Sequence, residues 1–159
     1  MIEIAVKETI DLDLTAKENV ELLSVKKCQE GIRHVLSNQM EVLPVLAADT
    51  MVVFETEIFG KPDSEEQAID MLMRLSGKVH SVLSGVTIGV ISDDQANFHS
   101  ITVESQVEFS HLTALECKRY CATKEPFDKA GAYGIQGYGS AFVKEIQGSY
   151  SNIVGLPIH

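Results

Sequence analysis

Alternating apolar and polar positions predict three strands in this chain. Residues 2–7 alternate over a short stretch, which is typical of a half-buried strand. Two longer alternating runs follow at residues 82–90 and 101–109, and the polar stretch 92–97 lies between them. This arrangement predicts a long antiparallel hairpin with a solvent-exposed tip.

Apolar residues at helical spacing predict three helices. The first covers about residues 16–36. The second begins where Asp63 can act as the N-cap with Glu66 as its capping-box partner, and it ends at Gly77. The third covers about residues 113–123 and also begins with a capping-box pattern.

A near-continuous apolar run at residues 42–48 predicts a central strand that is buried on both faces. Asp49 and Thr50 interrupt this run, and residues 51–54 resume it. A carboxylate beside a buried strand is costly unless it is paired or binds a cation. Because ligands gather at the carboxyl ends of strands in α/β sheets, Asp49 is a candidate ligand-binding residue. A turn aspartate that hydrogen-bonds its own backbone is the equally open alternative.

The order of these elements predicts an α/β fold in a single domain over residues 1–159. We expect a mixed, twisted sheet with flanking helices and the long antiparallel hairpin. The composition, 45% hydrophobic and 23% charged residues, is that of a globular protein and excludes disorder of the whole chain.

Charge and cysteine content narrow the class of protein further. The net charge of −10 argues against a nucleic-acid partner and against an anionic membrane surface. No apolar run is long enough for a transmembrane helix, and the N-terminal residues lack the pattern of a secretory signal. The three cysteines, an odd number without a C-x-x-C pair, predict reduced thiols in a cytoplasmic protein.

Two short segments carry candidate binding residues. Lys61 lies between a glycine and a proline just before a predicted helix, where a cation beside backbone N–H groups can hold a phosphate. A solvated loop lysine is the alternative. In residues 128–137, small residues surround Lys129 and Gln136, and the Gln136 amide can both donate and accept at the edge of a base. A glycine-rich turn with Lys129 in solvent is the alternative there.

The order of these motifs closely resembles that of the Maf family. The match covers most of the chain from about Val42 onward. The segments that carry it are Leu46-Ala47-Ala48-Asp49-Thr50-Met51-Val52-Val53, Gly60-Lys61-Pro62, residues 71–77 with His80, residues 123–137 and residues 148–157.

This resemblance implies a Maf/ITPase-like fold and a cytoplasmic nucleoside triphosphate pyrophosphatase. Such an enzyme cleaves its nucleotide between the α- and β-phosphates with the help of a divalent metal, Mg²⁺ or Mn²⁺. Asp49 matches the family's catalytic aspartate, and Lys61 and Lys27 match lysines near the phosphates. Glu8 matches an acidic residue that follows the family's second strand, so the implied metal ligands are Asp49 and Glu8.

The resemblance also implies a substrate. Thr50 and Gln136 match the branch of the family that prefers dTTP and UTP over 7-methyl-GTP. Lys129, in the same matching segment as Gln136, is a further candidate substrate-binding residue. A fixed amide and hydroxyl would favour a pyrimidine that carries O4 and N3–H over cytosine.

The ends of the sequence depart from the family pattern. The opening strand and S-x-S-P-R-R loop of the family have no counterpart here, and the sequence stops where relatives continue into a C-terminal helix. We therefore expect either further coding residues upstream of Met1 or self-association, as in a homodimer, that covers the edge of the 42–48 strand. The alternative function is a catalytically weakened nucleotide-binding or regulatory protein, linked to septum formation and division arrest.

Overall fold

The structure is a computed structural model, and it describes residue 6, residues 8–92 and residues 95–158. This part of the chain contains four α-helices, five β-strands and three short 3-10 helices. In chain order they are α1 (Ala16–Ser37), β1 (Val45–Phe54), β2 (Glu57–Phe59), α2 (Glu65–Leu75), β3 (Val79–Ser92), β4 (Gln95–Phe109), α3 (Ala114–Cys121), the 3-10 helices Glu125–Asp128, Ala130–Ala132 and Tyr138–Phe142, β5 (Val143–Gln147) and α4 (Tyr150–Val154).

The strands form one sheet in the order β2-β1-β3-β4-β5. β1 pairs antiparallel with β2, with Val52 opposite Phe59, and β4 pairs antiparallel with β5, with Gln106 opposite Gln147. β3 and β4 are neighbours, which confirms the predicted hairpin and the α/β fold class. Most of the predicted strand at residues 2–7, and part of the hairpin tip at residues 93 and 94, lie outside the described residues.

The central strand differs from its prediction in both position and burial. β1 begins at Val45 and runs without interruption through Asp49 and Thr50 to Phe54. Residues 42–44 precede it and are exposed, and full burial begins only at Met51. The expectation of a strand buried on both faces from residue 42 was therefore wrong, because apolar composition alone cannot show which faces a strand covers.

Side-chain caps set the helix starts. At α1, the Thr15 hydroxyl accepts from the Glu18 backbone N–H while the Glu18 carboxylate accepts from the Thr15 N–H. The predicted box at Thr113 is confirmed. At α2 the N-cap is Ser64, not Asp63, since the Ser64 hydroxyl accepts the Gln67 N–H at 3.2 Å.

The described residues form two compact units, and each has its own apolar interior. The first comprises residues of Met1–Asp49 and Ser84–Val103. In it, one face of α1 is buried, and Ser24 hydrogen-bonds Thr87, which in turn hydrogen-bonds Ser100, at 2.7 and 2.9 Å. The buried apolar side chains of α1 in this unit are Val20, Leu23, Cys28, Ile32 and Val35.

The second unit comprises residues of Thr50–Leu83 and Glu104–His159. Its core contains α2, α3 and an aromatic group in which ring edges meet ring faces. His80, buried among these rings, hydrogen-bonds the Tyr133 hydroxyl at 2.8 Å. The rings of this group belong to His80, Phe109, Tyr120, Tyr133 and Phe142.

Candidate functional site

Asp49 lies in the interior of β1, and its side chain is only 9% exposed. The turn alternative is therefore excluded, because the backbone on both sides of Asp49 is strand. A carboxylate so little exposed needs a partner of opposite charge.

Lys27 supplies that partner and also reaches a second carboxylate. Its ammonium forms an ion pair with Asp49 and another with Glu8, where Nζ lies 2.7 Å from Oε1. Lys27 is on α1, 22 residues before Asp49 in the chain, and all three residues belong to the same compact unit. Three candidate residues that are far apart along the chain thus form one cluster.

The pKa of Lys27 reports the balance of forces in this cluster. Burial by itself lowers the pKa of the ammonium group, because a charge loses hydration. Hydrogen bonds to Asp49 and Glu8, together with their negative charges, outweigh that effect, so the pKa of Lys27 is raised above its usual value. Lys27 therefore stays charged throughout the physiological pH range.

Glu8 and Asp49 are the residues of this cluster that could hold a hard divalent cation. Glu8 and Asp49 present carboxylate oxygens to one shared positive charge, and Mg²⁺ prefers oxygen ligands. Among the described residues no group of three or more His, Cys, Asp or Glu side chains is arranged to hold a metal. Magnesium commonly binds through one or two carboxylates plus substrate phosphates and water, so a two-carboxylate site suits it.

Lys61 and Lys129 lie near a third acidic side chain in the second unit. Lys129 Nζ is 2.8 Å from Asp128 Oδ2. The hydrogen bond from Lys129 lowers the pKa of Asp128 below its usual value against the opposing effect of burial, and the charge of Lys61 contributes in the same direction. Lys129 is 44% exposed and its partner is the adjacent residue, and Lys61 is exposed in the loop before α2, as the solvent-facing alternatives for both lysines describe.

Thr50 and Gln136, the candidate base-reading residues, are both in the second unit. The Thr50 hydroxyl lies beside Gly155, where a side chain would approach it to 3.3 Å. Gln136 is exposed, in the segment between Gly134 and Tyr138. The amide of Gln136 is therefore accessible to a ligand.

The sequence analysis missed Tyr120 and Glu125, the two residues whose side chains hold residues 134–139 in place. The Tyr120 hydroxyl donates to Glu125 Oε1 at 2.8 Å and accepts from the Gly134 N–H at 3.0 Å. Glu125 then accepts from the backbone N–H groups of Tyr138 and Gly139. The only sequence signal was the proximity of an acidic residue to a run of glycines, which does not reveal the hydrogen bonds.

Comparison with known proteins decides the family. The model of a family described as Maf-like protein matches residues 1–159. The chain belongs to the Maf family. The resemblance seen in the sequence motifs is therefore confirmed, and the match extends over the whole chain.

Several curated Maf relatives are similar over nearly all of this chain. A dTTP/UTP pyrophosphatase of Caldicellulosiruptor bescii is 44% identical over 97% of this chain and 76% of its own length. One from Bacillus cereus is 44% identical over 96% of this chain and 75% of its own. One from Alkalilimnicola ehrlichii is 40% identical over 96% and 74%. In the part of this Maf chain that the structure describes, no helix is both long and apolar enough to cross a membrane.

Proposed function

We propose that this Maf chain is a hydrolase that converts dTTP and UTP to the monophosphate and pyrophosphate. The observation that carries the proposal is the cluster in which one lysine, Lys27, pairs with Asp49 and Glu8. The names of the relatives, dTTP/UTP pyrophosphatase, support the same activity. The substrate is a small anionic molecule, so the protein needs local positive charge or a metal to bind it in spite of its net charge of −10.

Asp49 acts as the base in this mechanism. It accepts a proton from a water molecule, whose oxygen forms a bond to the α-phosphorus while the anhydride bond to the β-phosphate breaks. The products are the nucleoside monophosphate and pyrophosphate, and the pyrophosphate carries away the electron pair of the broken bond. The strand interior holds Asp49 in one place, which is what a positioned proton acceptor requires.

Lysine side chains stabilise the charge that develops during the reaction. Lys27, already held between two carboxylates, and Lys61 are the cations proposed to contact the phosphates. Glu8 and Asp49 are proposed to hold Mg²⁺ or Mn²⁺. When bound, such an ion supplies screening of the triphosphate and stabilisation of charge on the phosphoryl oxygens.

Gln136 and Thr50 are proposed to select the base, and Lys129 to contribute to substrate binding. An amide and a hydroxyl fixed by the protein match one donor–acceptor pattern, so uracil and thymine satisfy them while cytosine leaves one group unpaired. An unpaired buried polar group costs about 1–3 kcal/mol. The exposed amide of Gln136 supports this assignment.

The test of the proposed function is the Asp49→Asn variant, assayed for pyrophosphate release from dTTP. We expect turnover to fall by at least roughly 10²-fold, the scale for loss of a positioned acid–base group. Asp70→Asn, an exposed carboxylate on α2, is the matched control and should keep wild-type turnover. Wild-type turnover in Asp49→Asn would exclude Asp49 as the base.

Calorimetric titration on the same samples separates binding from catalysis. We expect wild-type protein to bind dTTP and to release pyrophosphate. Binding without release in the wild-type protein would contradict the proposed hydrolysis and favour a nucleotide-binding or regulatory role.

The proposal places the enzyme in the cytoplasm, a compartment that keeps thiols reduced, since Cys28, Cys117 and Cys121 are free and buried.

A further inference from the structure

Glu125 is a half-buried carboxylate that accepts hydrogen bonds from the glycine-rich segment containing Gly134, Gly137 and Gly139. It is the first residue of the 3-10 helix Glu125–Asp128. Oε1 accepts from the Tyr120 hydroxyl at 2.8 Å and from the Gly139 N–H at 3.1 Å, and Oε2 accepts from the Tyr138 N–H at 2.8 Å. Both oxygens of this carboxylate are therefore used within the protein.

The backbone around Glu125 is shaped to fit its carboxylate. A side chain at Gly137 would come within 2.3 Å of Glu125 Oε2, and one at Gly134 within 2.9 Å of Oε1. Glycine, which has no Cβ, permits this close approach without displacing the carboxylate. The glycines at positions 134 and 137 thus allow the backbone to wrap closely around the Glu125 carboxylate.

Tyr120 extends this hydrogen-bonded group to the start of the segment. Its hydroxyl donates to Glu125 and accepts from the Gly134 N–H at 3.0 Å. Its ring is 4% exposed on α3 and packs edge-to-face on Phe142, with centroids 5.0 Å apart. The rigid helix therefore fixes the hydroxyl, and the hydroxyl fixes one end of the segment.

Electrostatics favour the ionised form of Glu125. Burial raises the pKa of this carboxyl group, but hydrogen bonds from Gly139, Tyr120 and Tyr138 outweigh burial, and the pKa is lowered below its usual value. Hydrogen bonds to an ionised acceptor are stronger than those between neutral groups. The carboxylate consequently holds three donors at neutral pH.

Gln136 lies between the points that this group holds. Gly134 is attached to Tyr120, and Tyr138 and Gly139 are attached to Glu125, while Gln136 itself is exposed. We propose that Glu125, with Tyr120, is the positioning group that fixes residues 134–139 and so sets the selectivity of Gln136 for the pyrimidine base. This inference rests on the proposed function, in which Gln136 contacts the base.

A positioning role predicts a specific kinetic result. Glu125→Gln replaces one acceptor oxygen by a donor that faces backbone N–H groups, and Tyr120→Phe removes the hydroxyl while keeping the ring. With the metal-loaded protein, we expect KM for UTP to rise by about tenfold and the preference for UTP over CTP in kcat/KM to fall by about tenfold, while kcat for UTP stays within about twofold. Glu145→Gln, an exposed carboxylate on β5, is the control and should leave all three values unchanged.

Hydrogen exchange supplies a readout that does not depend on activity. In both variants we expect the amides of Gly134, Tyr138 and Gly139 to exchange faster than in the wild type, with thermal melting used to confirm that the variants fold. If Glu125→Gln does not fold, Tyr120→Phe carries the test alone, since its ring still packs on Phe142.

Several outcomes would overturn the proposal. If the wild type prefers UTP and the variants keep that preference, Glu125 does not set selectivity, although the proposed function stands. An equal loss of kcat for UTP and CTP with unchanged KM would assign these residues a general structural role and overturn the proposal. A wild type with no preference between UTP and CTP would remove the proposed base reading itself, and the positioning role with it.

Discussion

At the scale of single residues, the properties of a buried polar side chain in this protein depend on the partners that surround it. Asp49 and His80 are both largely removed from solvent, but their interaction partners differ. Asp49 is paired with Lys27, so its charge has a partner. His80 has an aromatic surrounding, one hydrogen bond to Tyr133 and an Nδ1 atom without a hydrogen-bond partner in the described part of the chain.

His80 makes the stability of the protein depend on pH. Burial lowers its pKa from 6.5 to about 4, because the charged imidazolium loses hydration. The unfolded state therefore binds more protons than the folded state between these two values, and stability falls as pH decreases through that window. Above pH 6.5 the contribution is fully present, and between pH 7.5 and pH 5 we expect a loss of about 2 kcal/mol from this residue.

Urea unfolding at pH 7.5 and at pH 5 measures this contribution. His80→Gln removes the titrating group, so the difference in unfolding free energy between the two pH values should shrink by about 2 kcal/mol, whatever the stability of the variant at pH 7.5. His99→Gln, at an exposed position on β4, should keep the wild-type difference. An unchanged pH dependence in His80→Gln would show that His80 does not remain neutral in the folded protein.

At the scale of elements, the sequence correctly predicted the helices and strands that follow from local hydrophobic patterns. The periodic α1 and the hairpin of β3 and β4 were predicted because helical and strand periods of hydrophobicity are visible along the chain. The start of α2 was misplaced by one residue, since Asp63 and Ser64 are both good N-caps and sequence alone does not choose between them. The uninterrupted course of β1 was missed because a polar pair inside an apolar run also fits a turn.

Gly131 connects the glycine-rich segment to the end of β2, and we expect the stability of the protein to be sensitive to its substitution. Gly131 has φ of +69°, a side chain there would lie 2.8 Å from Val52 Cγ1, and its N–H donates to the Gly60 carbonyl. We expect Gly131→Ala to lower the free energy of unfolding by about 1–3 kcal/mol, because it adds both backbone strain and overpacking. Denaturant unfolding measures the effect.

Gly60→Ala is the matched control for this change. A side chain at Gly60 would meet nothing within 4 Å, and its φ is not in the left-handed region. We expect its unfolding free energy to stay within about 0.5 kcal/mol of the wild type, as for an ordinary surface substitution. Equal stability of Gly131→Ala and Gly60→Ala would mean that residues 130–132 relax freely.

At the scale of the whole molecule, exposed apolar side chains favour self-association, one of the two expectations drawn from the sequence. Five large apolar residues from the last turn of α1 to the first residues of β1 are each more than two-fifths exposed, and exposed apolar groups of this kind often mark interfaces. They are Leu36, Met40, Val42, Leu43 and Leu46. We therefore expect light scattering to give about twice the 17.4 kDa mass of one chain.

A charge placed among these residues tests the interface. Leu43→Glu should shift the mass towards that of one chain, because a buried unpaired carboxylate is costly at an interface. Leu115→Glu, equally exposed on α3, should keep the wild-type mass. A wild type that scatters as a single chain at every concentration would exclude self-association through this surface.

The sequence by itself determined the fold class, the family and the identity of the main candidate residues. Hydrophobic periodicity is a local property of a chain, and the motif order of the Maf family is written in consecutive residues, so both can be recognised without coordinates. Asp49 and Lys61 were identified as candidates by their sequence contexts, and Lys27 and Glu8 by the family resemblance.

Only the tertiary structure decided which of these residues act together. Lys27 pairs with Asp49 across 22 residues and with Glu8 across 19, and such pairs depend on how α1 and β1 pack. The role of Glu125 emerged in the same way, because its partners Tyr138 and Gly139 are 13 and 14 residues away. Hydrogen bonds and ion pairs act over a few ångströms in space, whereas a sequence gives separation along the chain.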